Sequence, residues 1–184
     1  YTARYAGQKS YNGVALLVRS GLDARDVTHG IDDFVDEQKR VIAATIAGIR
    51  VVCVYVPNGQ AVGSDKYRYK LDWCAALAAN LRASLVRFPE LAIAGDFNVA
   101  PDDRDVHDPV LWDGQIRCSA PERAAFRELI AAGVADSFRL FEIGRRAFAE
   151  TGNAYVAEPR LQQALIHAVH LYVGTRQCEV QWFR

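Results

Sequence analysis

Three places in the chain combine residue types that could do chemistry. The first is Gly95-Asp96-Phe97-Asn98, where the short apolar run Leu91-Ala92-Ile93-Ala94 delivers a carboxylate and an amide two residues apart. On a strand, the pleat sets Asp96 and Asn98 on one side. Asp96 could there orient or deprotonate a water, and Asn98 could hold an oxyanion or a metal ligand. Taken alone the motif is short and common, and the same two residues serve as turn formers that satisfy local backbone. The second is Tyr55, at the end of another apolar run and just before Pro57-Asn58-Gly59. Its phenol could bond a phosphate oxygen, or it is a core aromatic with its hydroxyl at the surface. The third is Lys66-Tyr67-Arg68-Tyr69-Lys70, where cations alternate with aromatics at a helix start. Such a cluster suits a nucleic-acid backbone. It also suits a solvated helix face, although cations at a helix N-terminus oppose the macrodipole at a small cost. His167 and His170, three apart in a possible tail helix, have no carboxylate or Cys at ligand spacing, so they read as structural.

The elements that must carry these residues follow from the apolar periodicities. Gly13 to Val18 is rich in branched residues between turn signals and predicts a strand buried on both faces. Residues 22–39 are polar and predict a loop. Arg40 to Ile46 and Ile49 to Val56 are strands separated only by Ala47-Gly48, which fits a tight antiparallel hairpin. Residues 66–87 repeat Leu71, Cys74, Leu77, Leu81 and Leu85 at steps of three and four, so they predict a helix closed by Pro89. Leu91 to Ala94 is a short buried strand. The loop after Pro101 carries Asp102, Asp103, Asp105, Asp108 and Asp113. Ser119 with Glu122 three residues on is a capping box. The helix it opens buries Phe126, Leu129 and Ile130 and stops near Gly133. Strands lead in the first half with helices interspersed, so the class is α+β or a layered α/β/α arrangement.

Composition excludes several alternatives. The chain has 184 residues, enough for one domain with a real core. Lys plus Arg and Asp plus Glu both number 22, so the chain is not a uniformly basic wrapper, and a local basic patch is what remains. No apolar run approaches a membrane span, and the first residues are too polar for a secretory signal. Cys53, Cys74, Cys118 and Cys178 form no CxxC pair, and Cys53 and Cys74 sit among apolar neighbours as small hydrophobes. A reducing, cytoplasmic setting is expected. Methionine is absent, so the chain is expected to begin inside a longer protein.

Taken in order, the segments Gln8-Lys9-Ser10-Tyr11-Asn12-Gly13-Val14-Ala15, Asp36-Glu37-Gln38-Lys39-Arg40-Val41-Ile42, Tyr55-Val56-Pro57-Asn58-Gly59, Asp65-Lys66-Tyr67, Gly95-Asp96-Phe97-Asn98-Val99-Ala100-Pro101 and Cys118-Ser119-Ala120-Pro121-Glu122-Arg123 resemble bacterial exonuclease III, of the endonuclease/exonuclease/phosphatase superfamily. The resemblance runs from about Tyr1 to Glu142. It implies a four-layered sandwich of two packed mixed sheets with helices outside, a partial domain over 1–142 and a divergent tail over 143–184. It implies hydrolysis of DNA phosphodiesters, at 3′ ends and abasic sites, by a monomer using Mg²⁺ (or Mn²⁺). Asp96 then matches the water-activating residue, Asn98 its partner in the metal environment, and Tyr55 the tyrosine on the scissile phosphate. Asn12, Lys66 and Lys70 are the expected DNA contacts. The family's Glu-bearing N-terminal motif and its Arg-Ile-Asp and Ser-Asp-His motifs have no match here. Two alternatives therefore stay open: an inactive or weakly DNA-binding remnant, and a phosphatase or phosphodiesterase of the same superfamily.

Overall fold

A computed structural model describes residues 1–136 and Arg139, with the strand backbones of 153–156 and 169–173. The class is α+β. The hairpin β1 (Thr2–Gly7) and β2 (Gly13–Val18) is antiparallel and is extended on the β2 side by β9 (Val169–Val173). A second, six-stranded sheet runs in the order β3 (Ala24–His29), β4 (Val41–Ile46), β5 (Ile49–Tyr55), β6 (Leu91–Asp96), β8 (Asn153–Val156) and β7 (Ala135–Asp136). This sheet is mixed: β5 and β6 are parallel and the other pairs antiparallel. The described pairs of the first sheet are antiparallel.

The hairpin between β4 and β5 turns at Ala47 (φ 51°) and Gly48 (φ 87°). Two positive φ values in succession give the turn whose twist matches its strands. Parallel strands need a crossover, and α1 (Asp65–Arg87) provides it between β5 and β6. Ser64 caps α1 by accepting from the Tyr67 amide at 3.1 Å. The predicted apolar stripe is real, with Cys74, Leu77 and Leu81 buried and Leu71 and Leu85 half-buried. Burying Leu77 and Leu81 stabilises the fold by roughly 1.5–3 kcal/mol each. After β6 come a single 3₁₀ turn (Asp103–Asp105), the short α2 (Pro109–Trp112) and α3 (Ala120–Ala131), which opens with the predicted Ser119–Glu122 capping box.

Two cores result. Val14, Leu16 and Val18 of β2 pack on Ile42, Ala44, Val51, Cys53 and Ala92, so the sheets face each other. On the other face of the large sheet, Val52, Val54, Leu91 and Ile93 meet Trp73, Leu77 and Leu81 of α1 and Phe126 and Leu129 of α3. Three of the four expected layers are thus present among the described residues. Burial pushes the Cys53 and Cys74 thiols up to about 12, as fits inert core residues.

Two expectations are corrected. Residues 24–29 form a strand, not a loop, and 2–7 form a strand that the sequence does not announce. Both are polar edge strands: β1 buries only Ala6, and β3 buries nothing fully and carries a register shift between Arg25 and Thr28. The period-2 signal is weak where neither face is fully covered. In β2 only alternate residues are fully buried, because one face alone meets the second sheet. His170 lies in β9 and not in a helix, while His167, Cys178 and most of 143–184 lie outside the described residues. No described helix is long and apolar enough to cross a membrane.

Candidate active site

The parallel register of β5 and β6 pairs Tyr55 with Asp96. Paired residues on neighbouring strands point to the same face. Alternation assigns that face: Ala92 and Cys53 belong to the core between the sheets, and Tyr55 packs against the same core. Asp96 and Tyr55 therefore emerge side by side at the C-terminal ends of two adjacent strands, at the mouth of the inter-sheet space. Neither is fully buried. The bond from the Val56 amide to the Asp96 carbonyl, 2.8 Å, extends the pairing one residue past the strand ends.

Gly95 makes this approach possible. Its φ is +144°, and a Cβ there would run into the Val54 carbonyl. Only glycine lets the two strand backbones lie this close just before the carboxylate.

Asn98 has φ 48°, a left-handed turn that asparagine tolerates. The turn folds it back onto Asp96. Its backbone N–H donates to Asp96 Oδ1 at 3.0 Å and its side-chain Nδ2 to Asp96 Oδ2 at 3.2 Å. The same Nδ2 also donates to the Val56 carbonyl at 2.9 Å. Asn58 Nδ2 reaches Asn98 Oδ1 at 3.4 Å. The backbone and side-chain amides of one residue thus fix both carboxylate oxygens, and the side chain ties the β6 tip to the β5 tip.

A second layer holds the site from its outer side. Arg40 lies over the Tyr55 ring, 4.6 Å from its centroid, and donates to the Tyr55 carbonyl at 3.1 Å. Gln38 accepts from Arg40 Nε at 2.8 Å and from Asn12 Nδ2 at 3.1 Å. Asn12 also donates to Gln8 at 3.2 Å, which joins the β1–β2 turn to this chain of bonds. The loop carrying Gln38 is anchored by Asp36, which accepts from Tyr69 Oη at 2.7 Å and Trp73 Nε1 at 3.1 Å. Burial and this carboxylate push the Tyr69 phenol well above its ordinary value.

The electrostatics are those of a cationic cradle around one carboxylate. Burial raises the Asp96 pKa, and the Asn98 amide, Arg117, Lys70 and Arg40 oppose the rise. Asp96 takes part in no ion pair among the described residues. A carboxylate held by neutral donors, with cations nearby but not in contact, keeps lone pairs free for water or a cation.

No three described His, Cys, Asp or Glu residues cluster as a metal cage. Mg²⁺ does not require one, since it is usually held by one or two carboxylates plus substrate phosphate and keeps several waters. The all-oxygen donors Asp96 and Asn98 Oδ1 fit that mode.

The acidic loop does not. Asp102 pairs with Arg104, Asp103 with Arg123 and Asp105 with Arg139, and Asp108 caps α2.

The endonuclease/exonuclease/phosphatase family profile matches residues 1–161. The chain belongs to this family. It is 31% identical over 136 residues to the exodeoxyribonuclease of Bacillus subtilis, covering 73% of this chain and 52% of that protein. It is 33% identical over 140 residues to the DNA repair nuclease APEX1 of Danio rerio, covering 76% of this chain and 44% of that one. The chain thus spans about half the length of these curated relatives. The structure of a 3′-5′ exonuclease from Neisseria meningitidis superposes with TM-score 0.79 at 36% identity, over 85% of this chain and 66% of that one. The family is one of divalent-metal-dependent nucleases.

Of the residues singled out in this family member, Tyr55, Asp96 and Asn98 come together. Asn12 joins them through Gln38 and Arg40. Lys66 is exposed in the first turn of α1, bonded to none of them among the described contacts. Lys70 is a correction. It is fully buried and ion-paired with Glu122, so its ammonium cannot lie against DNA. Arg40, Gln38, Asn58 and Arg117 are site residues that sequence reasoning assigned no role. Asn58 carried a signal, as the turn residue just past a strand tip that already held a candidate.

Proposed function

We propose that the protein hydrolyses phosphodiester bonds in DNA in the manner of exodeoxyribonuclease III, trimming 3′ ends and cutting at abasic sites during repair, as a cytoplasmic monomer. The observation that carries this reading is the paired Tyr55 and Asp96 at adjacent strand tips, inside a cationic cradle, in a chain of this family. Asp96 orients a water and accepts its proton as the water oxygen bonds to phosphorus and the ester P–O bond breaks. The Tyr55 phenol donates to a non-bridging phosphate oxygen. Asn98 holds both Asp96 oxygens still, so the base is positioned before substrate arrives. Arg117 and Arg40 favour the negative charge that develops on phosphate. Asp96 and Asn98 would hold Mg²⁺ or Mn²⁺, which would supply Lewis-acid neutralisation of the phosphoryl oxygens. Asn12 and Lys66 contact the DNA backbone on either side.

The test uses the full chain with a duplex bearing one tetrahydrofuran abasic analogue and a recessed 3′ end. Incision and 3′ trimming in Mg²⁺, abolished by EDTA, are expected. Absence of both products in Mg²⁺ and in Mn²⁺ would reject the reading. A second reading, DNA binding without efficient turnover, draws on the family's Glu-bearing, Arg-Ile-Asp and Ser-Asp-His motifs having no match among the residues of this sequence. Retained binding of the same duplex without cleavage would favour it.

A further inference from the structure

We infer that Lys70 is a positioning residue: its buried ammonium staples the β5 and β6 tips together from beneath and so sets where Asp96 sits. Lys70 Nζ donates to the Asn98 carbonyl at 2.7 Å and to the Asn58 carbonyl at 3.3 Å. Those two carbonyls belong to the two loops that follow Tyr55 and Asp96. Its third bond goes to Glu122 Oε1.

Glu122 is itself locked. Its other oxygen accepts from the Ser119 amide at 3.2 Å and the Ser119 hydroxyl at 2.6 Å, and Ser119 Oγ meets Tyr67 Oη at 2.7 Å. Lys70 and Glu122 are both fully buried. The pair therefore transmits the placement of α1 and α3, two packed helices, to the strand tips. A lysine that served only stability would gain from any buried partner. This one directs all three of its donors, two of them at backbone carbonyls whose side chains or amides position the carboxylate.

The kinetic part of this inference rests on the nuclease reading, so its test carries a readout that does not. Losing Lys70 alone would leave Glu122 buried and uncompensated, at the risk of unfolding. The full chain carrying Lys70→Met/Glu122→Gln, which removes both buried charges together, is therefore compared with wild type, and the hydrogen exchange of the Asn98 amide is followed by NMR. In the double variant the Asn98 amide should exchange faster while the Val52 and Cys53 amides in the middle of β5 do not. Its kcat should fall by about 10²-fold with KM little changed, as small misplacements of a reacting group do. Equal Asn98 exchange in the double variant and in wild type would overturn the staple, whether or not the wild-type chain cuts DNA. Normal exchange of Val52 and Cys53 guards against mistaking unfolding for the effect. Faster Asn98 exchange in the double variant, beside a wild type that cuts nothing, would leave the staple standing and reject the nuclease reading instead.

Discussion

Asp96 and the loop residues Asp102, Asp103, Asp105 and Asp108 are the same residue type within 12 positions of one another, yet they do opposite work. Asp102, Asp103 and Asp105 each meet an arginine directly, and Asp108 is spent on a helix N-terminus. Among the described residues Asp96 meets only the Asn98 amide donors, while its cations act without touching it. The loop has the higher density of negative charge and the strand tip has the free lone pairs. What makes a carboxylate chemically available is the neutrality of the groups that hold it, not the number of acids near it.

The largest disturbance of this contrast should come from Gly95. Gly95→Ala forces a Cβ into the Val54 carbonyl and removes the backbone freedom that lets Asp96 emerge beside Tyr55. A loss of about 3 kcal/mol or more in urea unfolding is expected. Next comes Asp105, buried under Arg139 and accepting from the Asp102 amide at 2.9 Å. Asp105→Asn should cost about 2 kcal/mol, the scale of a hydrogen bond to a charged partner.

Asp96→Asn should act with pH. Because burial raises its pKa in the folded state, Asp96 favours folding at acid pH, and that contribution is lost as pH rises through the raised value. The neutral amide escapes that loss but sets an NH₂ against one of the two Asn98 donors, a cost independent of pH. The melting temperature of the variant relative to wild type should therefore rise as pH goes from below the ordinary carboxylate range to 7. Asp102 behaves the other way. The Arg104 side chain, then its amide, lower the Asp102 pKa, so that pair helps folding above the ordinary carboxylate range and fades as pH falls. It is solvent-exposed, and Asp102→Asn should cost less than about 1 kcal/mol, with no change in melting at acid pH.

The contrast also explains what the sequence could and could not disclose. Tyr55, Asp96 and Asn98 were legible because each follows an apolar run cut short by turn residues, and such ends carry functional groups. The long helix and the Ser119–Glu122 box were legible because their signals are local. The burial of Lys70 was not. Its alternation with aromatics resembles a surface stripe, and the partner that buries it lies 52 residues away. Arg40 on Tyr55 is likewise a contact of the folded sheet, which no spacing announces. The edge strands β1 and β3 escaped because, with little buried, they needed no apolar pattern.

The account stands on Asp96 as the carboxylate available at the paired strand tips, and the most direct measurement compares initial rates of abasic-duplex cleavage in Mg²⁺ for Asp96→Asn and Asp103→Asn beside wild type. A fall of about 10³-fold for the first is expected, as for loss of a general base, with the second at the wild-type rate. Cleavage by Asp96→Asn near the wild-type rate, or a comparable loss on Asp103→Asn, would contradict it.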